Sequence, residues 1–288
     1  MRDGLITPEE LAARLDDPAL RIGDCRWYLG DAEGARRAYA EAHIPGAVHL
    51  DLERHLSAPF GPGRHPLPSR VVSAAILGAL GFGDGTFAVV YDDRGGAIAA
   101  RAWWMLSDAG HDRVRILDGG LQAWAEAGLP LTGEVVEHDP EFLTVQQGPS
   151  RQIDRETLAA RLGEVTVLDV RAPERYRGEE EPIDPVAGHI PTALNAPCEE
   201  NLGPDGRFLD PETLAGRYRG LGAGSGEVVV SCGSGVTACH TAFAMRLAGL
   251  PEPLLYPGSW SDWSREGMPV ATGPEPGPVP DVPTKEVP

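Results

Sequence analysis

Four landmarks occur twice along this 288-residue chain, each time in the same order. Arg21-Ile22-Gly23-Asp24-Cys25-Arg26 is echoed by Val167-Leu168-Asp169-Val170-Arg171, and Ala42-His43-Ile44-Pro45-Gly46-Ala47 by Gly188-His189-Ile190-Pro191-Thr192-Ala193. Further on, Phe87 to Asp92 matches Glu227 to Cys232, and Leu117-Asp118-Gly119-Gly120 with Trp124 matches Tyr256-Pro257-Gly258-Ser259 with Trp263. Such a repeat constrains the fold before any single element is read, because one supersecondary unit must be built twice. The length suffices for two domains, each with its own apolar core.

Within each repeat, the continuous apolar runs Phe87 to Tyr91 and Val228 to Ser231 predict buried strands. Helices separate them. Thr7-Pro8-Glu9-Glu10 is a start signal ahead of Leu11, Ala12 and Leu15, and Asp210-Pro211-Glu212 is its equivalent ahead of Thr213, Leu214 and Tyr218. The alternation predicts an α/β fold in each domain, a mainly parallel sheet with helices on both faces and ligands at the carboxyl ends of the strands. The domains are expected at 1–132 and 153–272. The stretch 133–152, with Gly133, Pro140, Gly148 and Pro149, is expected to link them, and the Pro-rich tail 273–288 to be disordered.

A net charge of −18 repels phosphate backbones and anionic lipid, so nucleic acid and membrane are poor partners. The N-terminus lacks the apolar core of a signal peptide, and no stretch is long and apolar enough to span a bilayer. Cys25, Cys198, Cys232 and Cys239 are too few and scattered for a disulfide framework, and reduced thiols in a cytoplasmic protein are expected.

The run Val228 to Ser231 stops at Cys232-Gly233-Ser234-Gly235-Val236-Thr237, after which Ala238 to Leu247 has helical spacing. The pattern is strand, tight loop, helix. Two glycines let successive amides turn inward and form an anion nest at the N-terminal end of the helix. A cysteine at the head of such a loop ionises readily, since N–H groups and the helix dipole favour the nucleophilic thiolate.

This loop, read through Ala238, resembles the active-site loop of the rhodanese and mercaptopyruvate sulfurtransferase family, and the likeness extends over both repeats. It implies two tandem rhodanese-like domains, each around a parallel five-stranded sheet, of which only the second keeps the cysteine. Asp92 stands where the first would need it. It further implies a sulfurtransferase in which Cys232 takes a sulfane sulfur from thiosulfate or 3-mercaptopyruvate as a persulfide and passes it to a thiol or cyanide. No cofactor or metal is called for, and a thioredoxin-like reductant is one partner it admits.

Residue by residue, the resemblance makes Gly233, Gly235, Val236 and Thr237 the amide cradle, and Arg175 the donor-binding arginine unless it is a solvated surface residue. Arg171, like Arg26 in the first repeat, is expected to pair with a neighbouring acid. The family's mercaptopyruvate enzymes carry a second arginine shortly before Gly188-His189-Ile190-Pro191, where this chain has Asp184. Trp27 matches an aromatic that walls the site, with core packing the alternative. Glu53, where those enzymes have Asp, and His65 match an acid and a histidine that work with Ser234, with surface loop positions the alternative. Thiosulfate-specific members carry basic residues directly after the cysteine. Gly233 and Ser234 are neutral, which favours 3-mercaptopyruvate.

Cys239 and His240 invite a metal reading with Cys232, but one helical pair lacks the paired ligand spacing of a zinc site, and core packing is expected instead. A cysteine phosphatase would need an arginine at the far end of the loop, where Thr237 and Ala238 stand. A sulfur carrier with a protein acceptor is the remaining alternative to a small-molecule enzyme.

Overall fold

The computed structural model describes residues 4–148, 151–224 and 226–280. The chain divides into two compact units, one of Met1–Gly61, Leu67–Pro149 and Asn201–Pro211, the other of Pro62–Pro66, Ser150–Glu200 and Glu212–Pro288. Each repeat therefore lends a short arm to the other unit. No helix among the described residues is long and apolar enough to cross a membrane.

Unit 1 runs β1 (Leu5–Ile6), α1 (Pro8–Ala12), β2 (Leu20–Asp24), α2 (Ala32–Glu41), β3 (Ala47–His49), α3 (Arg70–Ala79), β4 (Phe87–Tyr91), α4 (Ala99–Ala109), β5 (Val114–Leu117) and α5 (Gly120–Glu126). Its five strands pair in the order β1-β5-β4-β2-β3, all parallel. Thr7 caps α1 through a reciprocal bond with Glu10, the device announced by Thr7-Pro8-Glu9-Glu10.

Unit 2 runs α6 (Arg155–Ala160), β6 (Thr166–Asp169), α7 (Pro173–Arg177), β7 (Leu194–Asn195), α8 (Pro211–Gly220), β8 (Val228–Ser231), α9 (Thr237–Leu247), β9 (Leu254–Leu255) and α10 (Ser259–Arg265). Its strand order, β7-β6-β8-β9, repeats that of unit 1 with one strand fewer. The expected fifth strand shrinks to a single parallel bridge between Gln152 and Leu255. Every residue of β8 is buried, and because successive side chains point to opposite faces, both faces of this sheet are covered. Trp260 and Trp263 of α10 join Val167, Val229, Ile190 and Tyr256 in its core.

The repeated His-Ile-Pro element closes each unit in the same way. His43 lies with Nδ1 2.6 Å from the Tyr39 carbonyl and Nε2 3.1 Å from that of Glu134. His189 has the same pair of contacts, 2.7 Å to Tyr176 and 3.1 Å to Glu275. The segment after each repeat is thus tied back onto its own sheet. The described part of 133–152 continues along unit 1, with Glu141 N–H on the Gly78 carbonyl and Thr144 on Asp84.

Residues 273–280 depart from the disorder expected of them, because Thr192 N–H bonds the Pro276 carbonyl at 2.6 Å and His189 reaches Glu275. Backbone pairing orders a stretch too poor in apolar side chains to order itself. The rest of that tail, 281–288, lies outside the described residues, as do positions 149 and 150 of the expected linker.

Candidate active site

β8 ends at Ser231, in register with Asp169 of β6, and the chain turns at once into the loop 232–236. Cys232 is 1% exposed. The Gly235 N–H points back at its Sγ, 3.0 Å away, which a φ of +74° at Gly235 makes possible. A side chain at Gly235 could not fit, since its Cβ would stand 2.3 Å from the Pro257 carbonyl oxygen.

The loop is also gripped from α10. Ser259 Oγ accepts the Cys232 N–H at 3.0 Å and donates to the Tyr256 carbonyl at 2.8 Å, while Trp260 and Ser261 N–H groups bond the carbonyls of Cys232 and Gly233. Ser259 holds a positive φ of 52° to do this. α9 opens at Thr237 without a side-chain cap, so the positive end of an 11-residue helix is presented to the cysteine sulfur and to whatever anion joins it.

Two guanidinium groups converge over the loop. A Cβ on Gly233 would stand 3.0 Å from Arg64 Nη2 and 3.5 Å from Arg175 Nη1. Arg175 is held by Glu181, with Nη2 to Oε1 at 2.6 Å and Nε to Oε2 at 3.3 Å. Burial works to raise the Glu181 carboxyl, but Arg175 and the N–H groups of Asp184 and Ile183 outweigh it and hold it below the usual range. Arg64 pairs through Nη1 with Asp184, whose side chain is fully buried. On the same arm, His65 Nδ1 is 2.9 Å from Ser234 Oγ.

A strand, a cysteine at the head of a glycine loop and a helix behind it stand here in the second of two copies of one α/β unit. The family model described as a rhodanese-like domain matches twice, over residues 7–127 and 154–266. The chain belongs to the rhodanese family. It is 51% identical to a "probable 3-mercaptopyruvate sulfurtransferase" of Pseudomonas aeruginosa, over 93% of this chain and 98% of that one. It is 44% identical to SseB of Mycobacterium tuberculosis, provisionally named a thiosulfate sulfurtransferase, over 93% and 97%. The crystal structure of SseA from Escherichia coli, reported as a 3-mercaptopyruvate sulfotransferase of rhodanese fold, superposes with a TM-score of 0.78 at 32% identity, over 89% of this chain and 98% of that one. Sulfur transfer, the activity expected from the loop, comes with this rhodanese membership.

Of the rhodanese site residues expected from the sequence, unit 2 brings together Cys232, Gly233, Ser234, Gly235, Val236, Thr237, Arg175 and His65. Trp27 and Glu53 belong to unit 1. Glu53 is exposed, and its N–H bonds Oδ1 of Asp51, the buried acid of that turn, which is paired with Arg36. Arg171 and Arg26 make the expected internal pairs, with Asp169 and Asp24 at 2.6 Å each.

The other thiols are buried. Burial pushes Cys198 up to about 12, with Glu199 and Cys232 adding to it, and burial with Asp92 and Asp24 nearby pushes Cys25 up as well. Cys239 Sγ lies 3.4 Å from the Gly235 carbonyl.

In unit 1, the position of the cysteine is held by Asp92. Its Oδ1 accepts the N–H groups of Arg94 and Gly96, both at 2.8 Å, and its Oδ2 those of Ile98 at 2.7 Å and Ala99 at 2.8 Å. Burial raises this carboxyl against those four bonds. The arm 201–211 covers the loop, with Leu202 against Gly95 and the Phe208 ring against Gly96.

Sequence reasoning missed Arg64, Glu181 and Ser259. Arg64 adjoins His65, a named candidate, and its charge was the signal to follow in a protein that must gather cations around an anionic donor.

Proposed function

We propose that Cys232 is the sulfur-carrying nucleophile and that 3-mercaptopyruvate is its preferred donor. The Cys232 thiolate attacks the donor sulfur and the sulfur–carbon bond breaks. The electron pair leaves on carbon as the enolate of pyruvate, and one proton converts that enolate to pyruvate. Cys232 is left as a persulfide. An acceptor thiolate or cyanide then takes the outer sulfur, forming a new persulfide or thiocyanate and returning the thiolate.

The observation that carries the reading is the pair of contacts at the loop, Gly235 N–H on Sγ and His65 on Ser234. The first sets an N–H donor against the sulfur as it reacts. The second gives a hydroxyl and an imidazole beside the reacting atoms, and an imidazole suits delivery of the proton that the enolate needs. Thiosulfate leaves as sulfite and needs no such proton. Arg175 supplies charge for the donor anion. Four free cysteines are in keeping with a reducing cytosol, where thiols, including those of a thioredoxin-like protein, would serve as acceptors.

The test is kcat/KM for both donors in the wild type and in His65→Ala. The variant should lose on the order of 10²-fold with 3-mercaptopyruvate and much less with thiosulfate. A strong wild-type preference for thiosulfate, together with a fully active variant on mercaptopyruvate, would refute the assignment.

A further inference from the structure

The arm that brings His65 to the loop also brings a second guanidinium to Gly233, beside that of Arg175. We propose that Arg64 is a second donor-binding residue, sharing one anionic group of the donor with Arg175. The inference rests on the donor reading above and adds a residue to it.

Three observations carry it. First, the arm is fixed in place. Gly63, at a φ of +79°, packs so tightly that a Cβ would stand 2.5 Å from the Gly258 carbonyl, and Arg64 N–H bonds Ser261 Oγ at 3.0 Å. Second, the guanidinium is oriented by Asp184. One of its Nη atoms is committed to that buried carboxylate, and the other faces the space over Gly233, where Arg175 Nη1 also points. Two planar guanidinium groups aimed at one point suit a carboxylate or sulfonate oxygen pair, each able to give N–H bonds to it. Third, the acids beneath are already paired. Arg175 sits on Glu181, and Asp184 pairs with Arg64 and lies 3.7 Å from Arg175 and 3.9 Å from Arg265, so both carboxylates face cations.

Asp184 thereby acquires a purpose. It occupies the stretch where an arginine would otherwise serve, and instead of repelling the donor it orients an arginine arriving from the first repeat. The space over Gly233 is open to this only because that residue has no side chain.

The experiment compares full-length wild type with Arg64→Gln and Arg64→Lys, using two electrophiles of similar size. Iodoacetate carries a carboxylate and iodoacetamide does not, so the ratio of their Cys232 alkylation rates reads anion attraction without any sulfur transfer. Arg64→Gln should lower that ratio about 10-fold and raise KM for 3-mercaptopyruvate about 10- to 100-fold, the ratio cancelling any change in the reactivity of the thiolate itself. Arg64→Lys should restore part of both effects. An unchanged ratio in a folded Arg64→Gln protein overturns the proposal and makes Arg64 a structural partner of Asp184 only. If the ratio falls while wild type turns over neither donor, the anion site stands and the donor reading fails.

Discussion

The loops that follow β4 and β8 share one plan and differ in what fills them. After β4 the chain sets a carboxylate, Asp92, into its own amide nest, where four N–H groups saturate it. After β8 it sets a thiol that takes one N–H, from Gly235, ahead of an uncapped helix. Leu202 and Phe208 lie on the first loop, Arg64 and His65 at the second. A nest filled by its own chain has no donors left for a ligand, and an apolar cover keeps water and ions out. The other loop gives one N–H to its own sulfur and has Arg64 and Arg175 over Gly233. The two corners differ in one residue at the head of the loop, matched by the polarity of the arm.

The largest effect expected from this contrast is at Cys232. Cys232→Ser keeps volume and fold but removes the thiolate, so turnover with either donor should fall by at least on the order of 10³-fold. Intact mass after incubation with donor should no longer show one added sulfur. Residual transfer at wild-type level would move the chemistry to another thiol.

Phe208→Ala sharpens the other side of the comparison. Emptying the apolar cover of the first loop should cost about 3 kcal/mol in urea denaturation, with sulfur transfer per folded molecule retained. Loss of turnover in a folded variant would show that this loop does more than hold the fold.

Asp92→Asn should cost somewhat less, about 2 kcal/mol, because the new amide turns an NH₂ toward two backbone N–H donors. Activity should again persist. An unaltered melting temperature would mean that the nest has no need of its carboxylate, and the contrast between the loops would lose its basis.

The repeat, the parallel sheets and the Cys232 loop were legible in the sequence because each is a local pattern. Val228 to Ser231 declares a buried strand, and Gly233 and Gly235 declare a turn that few other residues can make. The rest depends on pairings across long stretches of chain. His65 and Ser234 are 169 residues apart, and Arg64 and Asp184 are 120 apart, so no window of sequence contains both partners. Asp184 alone reads as a lost cation, whereas with Arg64 bound to it the same residue orients one. Residues 273–280 take their order from carbonyl groups bonded by Thr192 and His189, which composition does not register.

The two glycines of the loop after β8 leave very different freedom to evolution. At Gly235 the obstacle to any side chain is backbone, the Pro257 carbonyl at 2.3 Å, and no neighbouring substitution can remove it. At Gly233 the obstacle is the movable tips of Arg64 and Arg175. A lysine or arginine introduced there would compete with Arg64 for one space and repel it, since like charges at such distances disfavour each other. Charge for the donor can therefore be delivered by the loop or by the arm, but hardly by both. A descendant of this protein that moved a cation into position 233 would relieve Arg64 and Asp184 of selection together, and the pair would be free to drift.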